Sequence, residues 1–270
     1  KESAPEPSIL DQVQRFKRVM SAHGMRPEHW SRFFSACDAP FSIARTDQLN
    51  NESLLKWVDD NKVDWLCETF LIRRDWMDGE SNPRPHEGFY FNKNPQRFYE
   101  TITKELEREP NGRSDLKAQA FFICDSNKKD AEHSSGVRIL VAVAIPLCRL
   151  SNEVTVYRYI FDDVGGGYPW HDIPYHNHLR ILARLCFQHF HFEMWGLGFP
   201  KEEFEKIAEG ESMIPEILQK PGRHYAAWHP EDYGLASCES EVAKEAETLD
   251  LILEWMESAG LPTSQKKAIF

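Results

Sequence analysis

The sequence lacks any apolar run near the roughly 20 residues that a membrane-spanning helix needs. It has only six cysteines in 270 residues, and no two of them stand in the CxxC spacing of zinc and redox motifs. Cys124 and Cys148 fall inside apolar runs, and Cys186 falls inside a predicted helix. Buried free thiols are typical of a reducing compartment. We therefore expect an intracellular protein, cytoplasmic or nuclear, that makes no use of a membrane.

The motifs of several common enzyme sites are also absent. The chain contains neither GxGxxG nor GxxxxGK[ST], the glycine-rich loops that cradle phosphates. It has no GxSxG nucleophile elbow, and no cysteine stands in the context of a nucleophile. The sequence therefore leaves open whether the protein is an enzyme, and it assigns no cofactor.

Basic residues are fewer than acidic ones, 32 against 43, which gives a net charge of −11. Most of the excess lies in residues 196–260, where 15 acidic residues stand against 5 basic ones. Because affinity for duplex DNA comes largely from neutralising phosphates, this charge argues against non-specific DNA binding. It allows a basic protein partner, drawn in by electrostatic steering. The alternative is a merely solvated helical surface.

Helical periodicity dominates the N-terminal region of the chain. Apolar residues spaced by three and four predict helices over residues 9–24, 26–34 and 51–58. The apolar run over residues 63–76 fits a helix or a strand. Residues 1–76 are therefore predicted to be mostly helical.

Loop composition follows this helical region. Residues 77–88 are rich in glycine, serine, asparagine and proline, which predicts a loop. We divide the chain into a helical region of residues 1–76, a loop or hinge of residues 77–94, and an α+β region of residues 95–270 with acidic C-terminal helices. The three regions can also form one continuous domain.

The period changes to that of β-strands in the middle of the chain. Strands are predicted over residues 117–124, 137–147 and 153–161, and helices over 95–107, 176–195, from 199 onward, 215–219 and 242–256. Short connections favour antiparallel pairing. The predicted fold class is α+β, with a helical N-terminal region and a small, mainly antiparallel sheet of about three or more strands covered by C-terminal helices.

Histidines concentrate in one segment. Five of the 11 stand between Gly165 and Trp195. On a helix from His176 to Trp195, His178 and His189 would both lie on the apolar face, with Glu193 beside His189 as an i,i+4 neighbour. Buried polar groups need partners, so this face holds either hydrogen-bonded core histidines or a site.

The loop before this helix is the best candidate for chemistry. Two carboxylates, three glycines and a histidine follow a predicted strand, and this donor set suits Mg²⁺, Mn²⁺ or Zn²⁺. The candidate metal ligands are Asp162, Asp163, His171 and His176, and the candidate catalytic residues are Asp125, Asp162, Asp163, His171 and His178. Such a metal would activate water for hydrolysis. The alternative for this loop is a simple turn.

Two further sets of residues are candidates for binding. Arg180 and Arg184 lie on the predicted helix and could assist an anion at its N-terminus. The other set stands in a loop rich in aromatic residues and comprises His224, Tyr225, Trp228 and His229; the alternative there is packing over the sheet.

The first functional hypothesis is a non-catalytic binding or regulatory protein that acts through protein–protein contacts, with a basic partner. Its support is the absence of enzyme motifs, the acidic final third and the eight tryptophans, which are frequent at interfaces. The second hypothesis is a divalent-metal-assisted hydrolase of phosphoesters, with its site in the segment from Asp162 to His178.

Overall fold

The computed structural model describes most of the chain up to residue 228. The described residues are 9–44, 51–79, 84–86, 88–89, 94–108, 116–125, 137–162, 167–169, 173–218, 225–228 and 258. Among the described helices, none is long and apolar enough to cross a membrane.

The N-terminal region is helical, as predicted. Its helices are α1 (Ile9–Ala22), α2 (Pro27–Ala36), α3 (Asn51–Trp57), α4 (Asp60–Phe70) and α5 (Arg74–Asp78). Of residues 63–76, which fitted a helix or a strand, all but 71–73 belong to α4 and α5, and Ile72 between them forms an isolated β-bridge with His86. Asp59 caps α4 by accepting a hydrogen bond from the backbone N–H of Lys62 at 3.0 Å.

Seven strands in the described residues form one sheet. They are β1 (Gly88–Phe89), β2 (Gln119–Cys124), β3 (Arg138–Arg149), β4 (Thr155–Asp162), β5 (Tyr168–Pro169), β6 (Glu193–Gly198) and β7 (Tyr225–Trp228). Their order is β1-β4-β3-β2-β6-β7, and β5 pairs with β3. Helix α6 (Pro95–Glu107) precedes β2, and α8 (Lys201–Ala208) and α9 (Ile214–Leu218) follow β6.

The sheet is mixed, which corrects the prediction of a mainly antiparallel one. The predicted strands β2, β3 and β4 do pair antiparallel. However, β6 pairs parallel with β2, and β1 pairs parallel with β4. Parallel neighbours are joined by a long crossover connection. The prediction considered only strands joined by short connections, so it could not detect a parallel pair.

The central strand β3 is apolar on both faces because both faces are covered. Ile139, Val141 and Val143 pack with α6 and α7 (Ile173–Arg184) on one side. Leu140 and Ala142 pack with α8 and α9 on the other side. The fold is therefore α+β, with helices on both faces of the sheet.

A third core cluster joins the N-terminal helices to the end of the sheet. Phe16, Phe33 and Phe70 share it with Leu147 of β3 and Val156 of β4. This shared core connects residues 1–76 with residues 95–270. The division of the chain into these two regions stays a prediction.

The histidine-rich helix ends earlier than predicted. Helix α7 stops at Arg184 and is followed by a π-helical turn, Leu185–His189. His191 then takes a left-handed backbone conformation, with φ of 56°, and the chain continues as β6. Parallel pairing of β6 with β2 outweighs the local helical pattern.

Candidate functional site

The two strand-end carboxylates lie at the same edge of the sheet but do not meet. Strands β2 and β4 both run antiparallel to β3 and therefore run in the same direction. Asp125 directly follows β2, and Asp162 is the last residue of β4. Asp125 stands opposite Arg138, whereas Asp162 stands opposite Val141. Three residues along β3 and two strand spacings separate them, on the order of 14 Å. One metal ion cannot bind both.

Asp125 has a structural role. Its carboxylate accepts hydrogen bonds from the backbone N–H and the Nε of Arg138, each at 2.8 Å. The same guanidinium reaches Glu205 at 3.3 Å and lies 5.0 Å from the ring centre of Phe204. Asp125 therefore anchors the end of β2 to β3 and α8.

The other candidates of the histidine segment do not assemble a site among the described residues. Asp162 and His178 are both buried, and burial lowers the pKa of His178 to about 4. His176 lies on α7, but its side chain is outside the described part of the structure. Asp163 and His171 lie outside the described residues. The described residues contain no group of three or more His, Cys, Asp or Glu that could hold a metal ion. The metal hypothesis stays a prediction.

The prediction that His189 and Glu193 are i,i+4 neighbours on one helix is wrong, because Glu193 begins strand β6. Gln119 instead donates a hydrogen bond to Glu193 at 3.1 Å. The His189 ring packs against Tyr99 and Phe190, with centroids 5.1 and 4.9 Å away. Near this aromatic cluster the described surface exposes Phe187, and Trp195 is exposed on β6.

The remaining binding candidates are placed as follows. Arg180 and Arg184 stand one turn apart on α7, and burial together with the charge of Arg180 lowers the pKa of Arg184. Tyr225 and Trp228 belong to strand β7, which corrects the prediction of a loop there. His224 and His229 lie outside the described residues.

The structure also describes a groove that sequence analysis missed. We call it the acidic groove; it is lined by Pro40, Phe41, Asp59, Asn61, Lys62, Asp64, Trp65 and Glu68 and encloses about 490 Å³. All but the first two residues come from α4 and its cap. The acids of α4 recur every four residues, which places them on one exposed face.

Aromatic rings form one wall of the acidic groove. The ring of Phe41 lies edge-on to Trp65, with centroids 5.3 Å apart, and edge-on to Trp57 at 5.6 Å. The Lys62 ammonium lies 5.2 Å from the ring centre of Trp57 and 5.8 Å from that of Phe41. The lysine is an internal example of a cation held against these aromatic faces.

The charges around the acidic groove leave it negative. Lys62 forms an ion pair with Asp59, and its hydrogen bonds lower the pKa of that carboxyl. Arg74 forms ion pairs with Asp60 and Asp64. Among the residues that the structure describes, the exposed Glu68 forms no ion pair, so its charge faces solvent.

One signal in the sequence could have indicated this groove. Acidic residues four apart in the segment Asp60 to Glu68 are typical of an exposed helical face, provided that the segment is a helix. The contact with Phe41 depends on the folded arrangement of α2 and α4, which no local pattern contains.

Comparison with known proteins adds no candidate. No protein-family model, no curated protein and no solved structure matches this chain. A functional assignment therefore depends on the chemistry of the sites described above.

Proposed function

We propose that this protein is a non-catalytic intracellular binding or regulatory protein, and that its acidic groove receives a basic segment of a partner protein. The acidic groove is the observation that carries the proposal. It combines carboxylates with half-buried aromatic rings, the two kinds of group that attract a lysine or arginine side chain.

The groove suits one or two basic side chains. An incoming guanidinium would lie against Trp65 while Glu68 and Asp64 neutralise it. A cation–π contact at an exposed site contributes about 0.5–1 kcal/mol, and an exposed ion pair about 0.2–1 kcal/mol. A segment that places one or two basic side chains in the groove thus gains about 1–4 kcal/mol. Such a contact is transient and depends on salt.

A peptide titration tests the proposal. An arginine-rich peptide is added to the protein, and binding is followed by isothermal calorimetry or by tryptophan fluorescence. We expect saturable binding that weakens as salt rises, and Glu68→Gln should weaken it about two- to fivefold, since about 0.4–1 kcal/mol of ion pairing is lost. Glu68 is chosen because it is exposed and neutralising it breaks no internal ion pair of the described residues.

A matched control separates the groove from general attraction. Glu153→Gln removes one exposed carboxylate from the turn between β3 and β4 and should leave binding unchanged. Equal weakening by both variants, or none by Glu68→Gln, would show that the peptide does not use the acidic groove.

A further inference from the structure

The protein holds one of its own cations in a corner between two aromatic rings. The rings of Phe41 and Trp57 are nearly perpendicular, at 80°, with their centroids 5.6 Å apart. The ammonium of Lys62 lies 5.2 Å from the ring centre of Trp57 and 5.8 Å from that of Phe41. Because a cation is attracted to the face of an aromatic ring, a perpendicular pair offers it two faces at once. Asp59 completes the arrangement by forming an ion pair with this ammonium.

A second corner of the same kind lies on the acidic groove, and we call it the groove corner. It is formed by Phe41 and Trp65, which both line the groove and whose rings meet at 82° with centroids 5.3 Å apart. Trp65 also packs against Phe33 and Phe34, with centroids 5.8 and 5.6 Å away. These contacts fix the ring of Trp65 before any partner arrives, so little free energy is lost in ordering it on binding.

One carboxylate beside the groove corner is not already neutralised within the described part of the chain. Glu68 follows Trp65 by three residues on α4, so the two side chains are neighbours on one face of the helix. Glu68 is exposed and forms no ion pair with the described residues, whereas Asp64 forms an ion pair with Arg74. A cation at the groove corner therefore meets two aromatic rings and the charge of Glu68.

These groups fit a methylated ammonium better than an unmodified one. The ammonium of an unmodified lysine carries three N–H donors that point in different directions. On entering the corner it would lose water from donors that face the rings, and Glu68 lies on one side only. Each methyl group replaces such a donor with apolar surface and leaves the positive charge in place. A dimethylated ammonium thus has two methyl groups for the two rings and one N–H to donate to Glu68.

We propose that the groove corner, together with Glu68, binds the side chain of a dimethylated lysine in the partner protein. This inference rests on the proposed function, because it names the basic side chain that the acidic groove receives. It adds a dependence on modification. An unmodified basic segment binds through charge, and dimethylation of one of its lysines tightens the complex.

Four peptides that differ in one side chain test this inference. Each carries the same flanking arginines around a central lysine that is unmodified, monomethylated, dimethylated or trimethylated, and isothermal calorimetry measures the affinity. We expect the dimethylated peptide to bind about five- to tenfold more tightly than the unmodified one. The trimethylated peptide, which has no N–H for Glu68, should bind less tightly than the dimethylated one. If the dimethylated peptide is not the tightest, the inference is overturned and the proposed function stands, whereas no binding of any peptide overturns both.

A pair of variants locates the effect at the groove corner. Phe41→Leu removes one ring of the corner and should abolish the preference for the dimethylated peptide. Trp195→Leu changes an exposed tryptophan on β6 and should retain the preference. A preference that survives Phe41→Leu, or that Trp195→Leu also abolishes, contradicts the inference.

A neutral peptide covers the case in which Phe41→Leu does not fold. In this peptide a carbon atom replaces the side-chain nitrogen of trimethyllysine, so the shape is kept and the charge is lost. Binding to the unaltered protein that is about fivefold or more weaker than that of the trimethylated peptide supports recognition of a cation by the rings. Equal binding of the two shows that the corner accepts apolar bulk alone and overturns the inference.

Discussion

At the scale of single residues, buried histidines are the groups most sensitive to pH. The ordinary pKa of histidine is about 6.5. Burial lowers it to about 3 for His23 and to about 4 for His86 and His178. Below pH 6.5 the unfolded chain binds protons on these rings and the folded chain does not, so stability is complete above this pH and falls as the pH falls.

We expect the free energy of unfolding to drop by about 4 kcal/mol between pH 7 and pH 5.5, because each of the three histidines contributes up to about 1.4 kcal/mol per pH unit. Urea unfolding measures this, and carboxylates stay ionised over that range. His178→Gln should remove about a third of the pH dependence. Equal stability at the two pH values would show that these rings are not held neutral by burial.

The same scale shows what local patterns can and cannot predict. The start of α6 follows from Asn94, whose side chain accepts a hydrogen bond from the Arg97 N–H at 2.9 Å, and from Pro95 in the first turn. These signals lie within a few residues of each other. His86 gave no such signal, because its burial depends on contacts with segments distant in the sequence.

At the scale of elements, one buried ion pair links three elements of the fold. Arg158 of β4 donates to Glu105 of α6 at 2.6 Å and to the carbonyl oxygen of Thr69 on α4, also at 2.6 Å. Glu105 and Arg158 are both buried, with 4% and 9% exposed. Glu105 also pairs with Arg108 at 2.8 Å, so removing Arg158 leaves the buried carboxylate with this one, half-exposed partner.

Arg158→Met should therefore lower the free energy of unfolding by at most about 3–5 kcal/mol, because Arg108 still faces Glu105; urea unfolding at neutral pH measures this. The double variant Arg158→Met/Glu105→Met should recover some of this loss, since no charge is then left buried. The control Lys56→Met breaks an exposed pair with Glu52 at 3.7 Å and should cost less than about 0.5 kcal/mol. A cost that small for Arg158→Met would show that Arg108 alone compensates the charge of Glu105.

Elements also show why some strands of the sheet escaped prediction. Strands β2, β3 and β4 are neighbours in the chain, so their alternation and turns indicate them directly. Strand β6 exists because residues 193–198 pair with β2, more than 70 positions earlier in the chain. The placement of His189 and Glu193 on one helix was wrong for the same reason, since it assumed a helix continuing to Trp195.

At the scale of the whole molecule, the core joins the N-terminal helices to the sheet. Phe70 of α4 and Phe16 of α1 share a cluster with Leu147, Leu150 and Val156. Each of these five residues is at most 3% exposed. Separating the helices from the sheet would expose apolar surface on both, at about 25 cal/mol for each Å².

We therefore expect residues 1–76 and the sheet to unfold together. The far-ultraviolet circular dichroism of the helices and the tryptophan fluorescence should follow one urea transition with the same midpoint. Val156→Ala, which deletes two methyl groups from the shared cluster, should move both midpoints down equally. Two separate transitions, with only one of them shifted by Val156→Ala, would instead support a hinge at residues 77–94 between independent domains.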